Sequence, residues 1–202
     1  MSVNFGDHNI INDGFYASPT GVRIGTDGWL YNDGQVTLSH GKFSDIGDAQ
    51  NSSYILRGTT TNATFTTIKN DGVDIKLASN RTMMFTVNIV GRRTDQVNAS
   101  TNDNTAYILT GLLHNDGYGA ALVGSVTKTV IAETDSNWDI QATVTGAGAG
   151  GTDQINIQCK GASSKTVNWV AKLELLEVGG DVSGYTESNI LGLRNINTQE
   201  LP

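Results

Sequence analysis

One cysteine, three histidines and two prolines are scattered through 202 residues, and only 16% of the chain is charged. A single cysteine, Cys159, excludes a disulfide within the chain. Together with three separated histidines it gives no zinc-ligand spacing, so no metal site and no cofactor is expected. No stretch reaches the ~18 consecutive apolar residues that a membrane-spanning helix needs. The opening MSVNFGDHNIIND lacks both the basic head and the apolar run of an export signal. The expectation is a protein made and used without secretion, in which the sequons at Asn51, Asn62, Asn80 and Asn98 carry no glycan. With 20 acidic against 13 basic residues the net charge is -7. No basic stripe is left to neutralise phosphates, which argues against nucleic acid and anionic membrane as partners.

What the chain has in quantity is glycine, 24 residues, and apolar side chains on every second position. Ile155, Ile157 and Cys159, then Val167, Trp169, Ala171, Leu173 and Leu175, alternate with mostly polar neighbours, as do Met83, Phe85, Val87 and Ile89, and Trp138, Ile140, Ala142 and Val144. A period of two is that of strands with one face in the core. Cys159 is then an inward, small buried thiol rather than a reactive one. No stretch has a helical period, so the fold class expected is all-β: an antiparallel β-sandwich or jelly-roll-like domain.

Three regions follow. Residues 1–46 carry short extended pieces at Gly21–Gly25, Trp29–Tyr31 and Gln35–Ser39, too short for a core of their own, and read as an attachment or oligomerisation segment. Residues 47–178 hold nine candidate strands: Ser53–Thr59, Ala63–Ile68, Val73–Leu77, Arg81–Val90, Thr105–Leu113, Ala120–Val130, Trp138–Thr145, Thr152–Lys160 and Lys165–Glu177. Residues 179–202, with Tyr185, Ile190, Leu191, Leu193, Ile196 and Leu201 out of strict alternation, read as a C-terminal arm in which Thr186 or Ser188 could cap one helical turn. Asn-Asp-Gly occurs four times, at 12–14, 32–34, 70–72 and 115–117. The second and third of these lie between apolar-rich runs, as hairpins require.

Chemistry finds few candidates. His8 and His40 fall in the attachment segment and His114 precedes a turn, so none is placed to serve a nucleophile, and no catalytic residue is assigned. Asp135-Ser-Asn137-Trp-Asp139 spaces oxygen ligands for calcium, but Ile140 and Gly146 stand where the loop needs Gly and Glu. Asp95, Asp103 and Asp116 lie in loops that could cluster as hydrolytic carboxylates. The Gly146–Gly151 run lacks the lysine of a phosphate loop. Two groups suit partner binding: Arg92 and Arg93, able to grip a carboxylate of another chain or a neighbouring loop, and Tyr107, Tyr118 and Trp138, able to stack on sugar.

The segment Gly47–Thr64, continuing through Phe85-Thr-Val-Asn-Ile-Val-Gly-Arg-Arg-Thr-Asp to Leu122–Thr129 and Trp169–Glu174, resembles a domain recurring in virion proteins of tailed phages and prophages. The resemblance covers roughly two-thirds of the chain. It implies a non-enzymatic, homotrimeric structural protein, assembled in the host cytoplasm and resident in the virion, of tail-fibre or host-adhesion type. Its partners would be other virion proteins of the tail or baseplate and a host surface glycan. The alternative is a capsid decoration protein clamping the major capsid protein, and a third reading is a carbohydrate-active β-domain.

Overall fold

The computed structural model describes residues 10–12, 15–18, 21–95, 103–146 and 152–179. Among these residues there is no helix, and thirteen strands form two sheets: β1 (Ile10–Asn12), β2 (Phe15–Ser18), β3 (Gly21–Ile24), β4 (Gln35–Leu38), β5 (Ala49–Thr60), β6 (Thr66–Ile68), β7 (Ile75–Lys76), β8 (Arg81–Arg93), β9 (Asn104–Asn115), β10 (Ala120–Glu133), β11 (Asp139–Thr145), β12 (Gln154–Lys160) and β13 (Val167–Gly179). The larger sheet has the order β1-β2-β3-β4-β5-β13-β8-β9-β10 and the smaller β11-β12-β6, with β7 also on β12. Neither closes on itself, and the chain is all-β as its alternation requires.

The inward positions of both sheets form one core. Met83, Phe85, Val87 and Ile89 of β8 and Val167, Trp169, Ala171, Leu173 and Leu175 of β13 are buried against Ile140 and Ala142 of β11 and Ile155, Ile157 and Cys159 of β12. All nine strands expected between residues 47 and 178 are present, with shifted ends. Burial alone pushes the Cys159 thiol well above its ordinary pKa, because no charge nearby stabilises a thiolate.

Two expectations in the first 46 residues are corrected. All pairings are antiparallel except one: β3 and β4 run parallel, Gly21 to Ile24 beside Gln35 to Leu38. Parallel neighbours need a crossover rather than a hairpin, so Asn32-Asp33-Gly34 ends a crossover instead of closing a hairpin. Trp29–Tyr31 belongs to that crossover and is not a strand. Its backbone is satisfied by side chains: Trp29 N–H donates to Gln50 Oε1 at 2.7 Å and Tyr31 N–H to Gln35 Oε1 at 2.6 Å. Asn70-Asp71-Gly72 does close a hairpin. Asn70 and Val73 exchange both backbone hydrogen bonds, and Asp71 and Gly72 take φ of 48° and 86°, the left-handed pair that a two-residue turn demands.

His8, the glycine run from residue 147 to 151, the sequon at Asn98 and the arm beyond Gly179 lie outside the described residues.

Candidate functional site

The core uses one face of the nine-stranded sheet, and the register of its strands decides what the other face presents. Ile24 pairs with Leu38, Leu38 with Asn51, Asn51 with Leu176, Leu176 with Met84, Met84 with Leu112 and Leu112 with Val123. These side chains form one row across seven strands, roughly 29 Å at ~4.8 Å per strand. All but Asn51 are apolar, and the apolar members are between 37% and 58% exposed. All of the row except Val123 lines an open groove with Phe43, Val178 and His40. A solvated sheet face is ordinarily polar, so an apolar row of this length sets this face apart from an ordinary wet one.

A polar row comes next, with Ser53, Glu174, Thr86, Thr110 and Thr127 in register. Glu174 is held there by Lys172 Nζ at 2.8 Å. Beyond it lies a second apolar patch, in which Val170 stands opposite Val90 and Val90 opposite Ala106, with Ile55 nearby on β5. Arg92 is exposed on the same face as Val90, and Arg57 pairs with Val170. The patch borders the edge strand β10, which is exposed over most of its length, Val130 and Ile131 included.

Beneath the long row sits a buried polar cluster. Glu177 accepts from the Ser52 hydroxyl and, at 3.0 Å, from Gln50 Nε2. Burial holds its carboxyl above the ordinary range, and these hydrogen bonds and the Arg81 charge offset only part of that. Asp48 is opposite in sign. Burial raises it, but N–H donations from Ser44, Asp45 and Phe43 outweigh burial and hold it below the usual value. Arg81 Nη2 donates to Tyr31 Oη at 3.2 Å, while its Nε and Nη1 have no partner. The cluster packs the crossover onto the sheet, and two of its members, Gln50 and Glu177, also line the groove.

At the opposite end of the strands, Lys165 Nζ bridges Asp103 at 2.9 Å and Asp135 at 2.6 Å, and Arg93 bridges Asp95 and Asp103. Lysine hydrogen bonds hold both Asp103 and Asp135 below the ordinary carboxylate range. A depressed carboxyl cannot store the proton of a general acid at neutral pH.

Several candidate residues are placed differently from expectation. Arg93 keeps to one of its expected roles and grips carboxylates of a neighbouring loop, Asp95 and Asp103, whereas Arg92 is exposed. Tyr107 and Trp138 are buried and do not make a stacking platform. Tyr107 Oη meets Glu133 at 2.8 Å, and Trp138 packs edge-on against Trp169. Tyr118 is 78% exposed but lies in the β9–β10 turn, at the far end of β9 from Tyr107. Asp95 and Asp103 come together on Arg93, but Asp116 stands in that same distant turn. The calcium-like string is taken up internally, Asp135 by Lys165 and Asn137 and Asp139 by Lys128 at 2.5 Å. Among the described residues no group of three or more His, Cys, Asp or Glu could hold a metal ion.

No family model and no curated protein matches the chain. A solved structure to which it is similar is a tailspike protein, gp49 from Acinetobacter baumannii bacteriophage Fri1, a capsular polysaccharide depolymerase; the match is 10% identical, with a TM-score of 0.35, over 70% of this chain. This chain spans only 19% of the length of that tailspike. The expectation that the chain is not an enzyme is corrected on this point: the neighbour is a depolymerase, and the absence of activity is withdrawn. A likeness this slight says nothing of what this chain itself does.

Proposed function

We propose that this sandwich-like two-sheet domain is a binding and assembly module of a tailed-phage particle, tail-associated and of the fibre or adhesion type, and that it works as a homotrimer. The observation that supports this reading is the apolar patch of Ile55, Val170, Val90 and Ala106, which reaches the fourteen-residue edge strand β10 through Ala106. An edge strand presents unpaired backbone groups, and an apolar patch beside it loses water when a second sheet comes up against it. The occupant proposed is a sister copy. Arg92 is exposed beside the patch on a chain whose net charge is -7, so the acidic surface of another copy is drawn to it, whereas Arg57 is held by Asp71 of its own chain. Three copies joined head to tail through such a contact close a ring.

Light scattering during size-exclusion chromatography tests the assembly. Trimers are expected for the full chain, and loss of trimers for Val90→Ser with Val170→Ser. A full chain that stays monomeric over the whole accessible concentration range overturns it. Immunogold labelling of intact particles tests the location: label on tails supports the reading, and label over the head shell replaces it with capsid decoration.

A further inference from the structure

We propose that residues 180–202 of this chain fold back within the same molecule onto the long apolar row, seating isoleucine and leucine side chains in the groove between Leu38, Met84 and Leu176. This inference rests on the sheet face and holds whichever particle carries the protein.

Where the described chain stops is the first argument. β13 points Leu176 and Val178 into the groove and ends at Gly179, whose N–H donates to Asp48 O at 2.6 Å and so fixes the exit at the groove rim. The 23 residues that follow include Tyr185, Ile190, Leu191, Leu193, Ile196 and Leu201 against only four charges, Asp181, Glu187, Arg194 and Glu200. Those apolar side chains need a surface, and the inner face has none to give: Phe85, Val87 and Leu173 are 0% exposed there. The row lies three residues back along β13, roughly 10 Å. Residues 180–184 reach roughly 16 Å when extended, enough to turn and come back, and glycines at 180 and 184 make the reversal cheap.

Proximity decides between this segment and another molecule. A tethered segment meets the groove at an effective concentration in the millimolar range, whereas a second copy must come from bulk solution. The groove is therefore filled from its own chain first, which leaves the Val90 and Val170 patch for sister copies.

Met84 is the reporter, because its thioether is half exposed in the groove while neighbouring Met83 is 1% exposed in the core and stays unoxidised as long as the sheet is folded. The full chain and its Ile190→Ser, Leu191→Ser, Leu193→Ser variant are treated with hydrogen peroxide, and sulfoxide at Met84 is followed by peptide mass spectrometry at several protein concentrations. The expected result is several-fold slower oxidation of Met84 in the full chain than in the variant, independent of concentration. Equal rates overturn the proposal, as does a wild-type Met84 that oxidises as fast as methionine in an unstructured peptide. Protection that grows with protein concentration also overturns it and gives the groove to a second copy.

Discussion

Gly91 stands directly opposite Trp169 across the β8–β13 ladder, and the indole lies over it so closely that a methyl on Gly91 would be 2.5 Å from Cζ3. On the other side of Trp169 the register partner is also a glycine, Gly58, and the space above that one is taken by Ile68. The large ring fits in the middle of the sheet because Gly91 gives up its side chain to the indole, while Gly58 makes room for Ile68. Trp169 Nε1 then donates to Thr60 Oγ1 at 2.9 Å, and its ring meets Trp138 edge-on at 5.6 Å.

Gly91→Ala is therefore expected to cost about 1–3 kcal/mol, since the ring must leave its rotamer or the strands must separate. Urea unfolding followed by tryptophan fluorescence reads the loss directly. An unchanged midpoint would show that the indole yields without strain.

Glu177 sets a pH dependence. Its carboxyl is raised by burial, so the folded chain holds the proton more tightly than the unfolded one. The stability this gives is complete below the ordinary carboxyl value of about 4.3 and is lost as pH rises through the raised one, at about 1.4 kcal/mol per unit of difference. Glu177→Gln keeps an acceptor for Ser52 and Gln50 and removes the titration. Urea midpoints between about pH 5 and about pH 8 should fall with pH in the wild type and flatten in the variant.

The Lys165 bridge works in the opposite direction. Lys165 holds Asp103 and Asp135 down, so its contribution is present above the ordinary aspartate value of about 3.9 and is lost as pH falls through the depressed ones. Lys165→Met should cost about 1 kcal/mol at neutral pH, the upper end for a partly exposed pair. The gap between variant and wild type should narrow on acidification and with added salt. A gap that is constant in pH would assign the loss to packing.

Cys159 should not react with a thiol reagent until the chain unfolds, because its sulfur is buried and its pKa is raised. Absorbance of the released chromophore should track the unfolding curve. Cys159→Ser should lower stability by about 1–3 kcal/mol, through a hydroxyl left without a partner in the core.

Much of the fold could be read from neighbouring residues. The alternations around Phe85, Trp138, Ile157 and Leu173 identified the strands and their inner faces, because side-chain direction in a strand repeats every two residues and needs no knowledge of what lies across the ladder. Trp29–Tyr31 has the composition of a strand, yet its hydrogen bonds go to Gln35 and Gln50, and no local rule indicates that a glutamine twenty-one residues away will stand in for a strand. Tyr107 and Trp138 have the composition of a binding surface, and burial between two sheets assigned them to the core.

The long row shows the division most clearly. Met83-Met84, Leu112-Leu113, Leu122-Val123 and Leu175-Leu176 are places where the alternation breaks, with an apolar residue on the wrong face beside one on the right face. Each doublet is visible in the sequence, and each alone passes for noise. What the sequence determined was which side of its own strand every residue occupies. Only the tertiary structure, by fixing the register between strands far apart in the chain, could bring Leu176, Met84, Leu112 and Val123 to one height and turn four irregularities into a continuous surface, because register is set by contacts between strands and not within them.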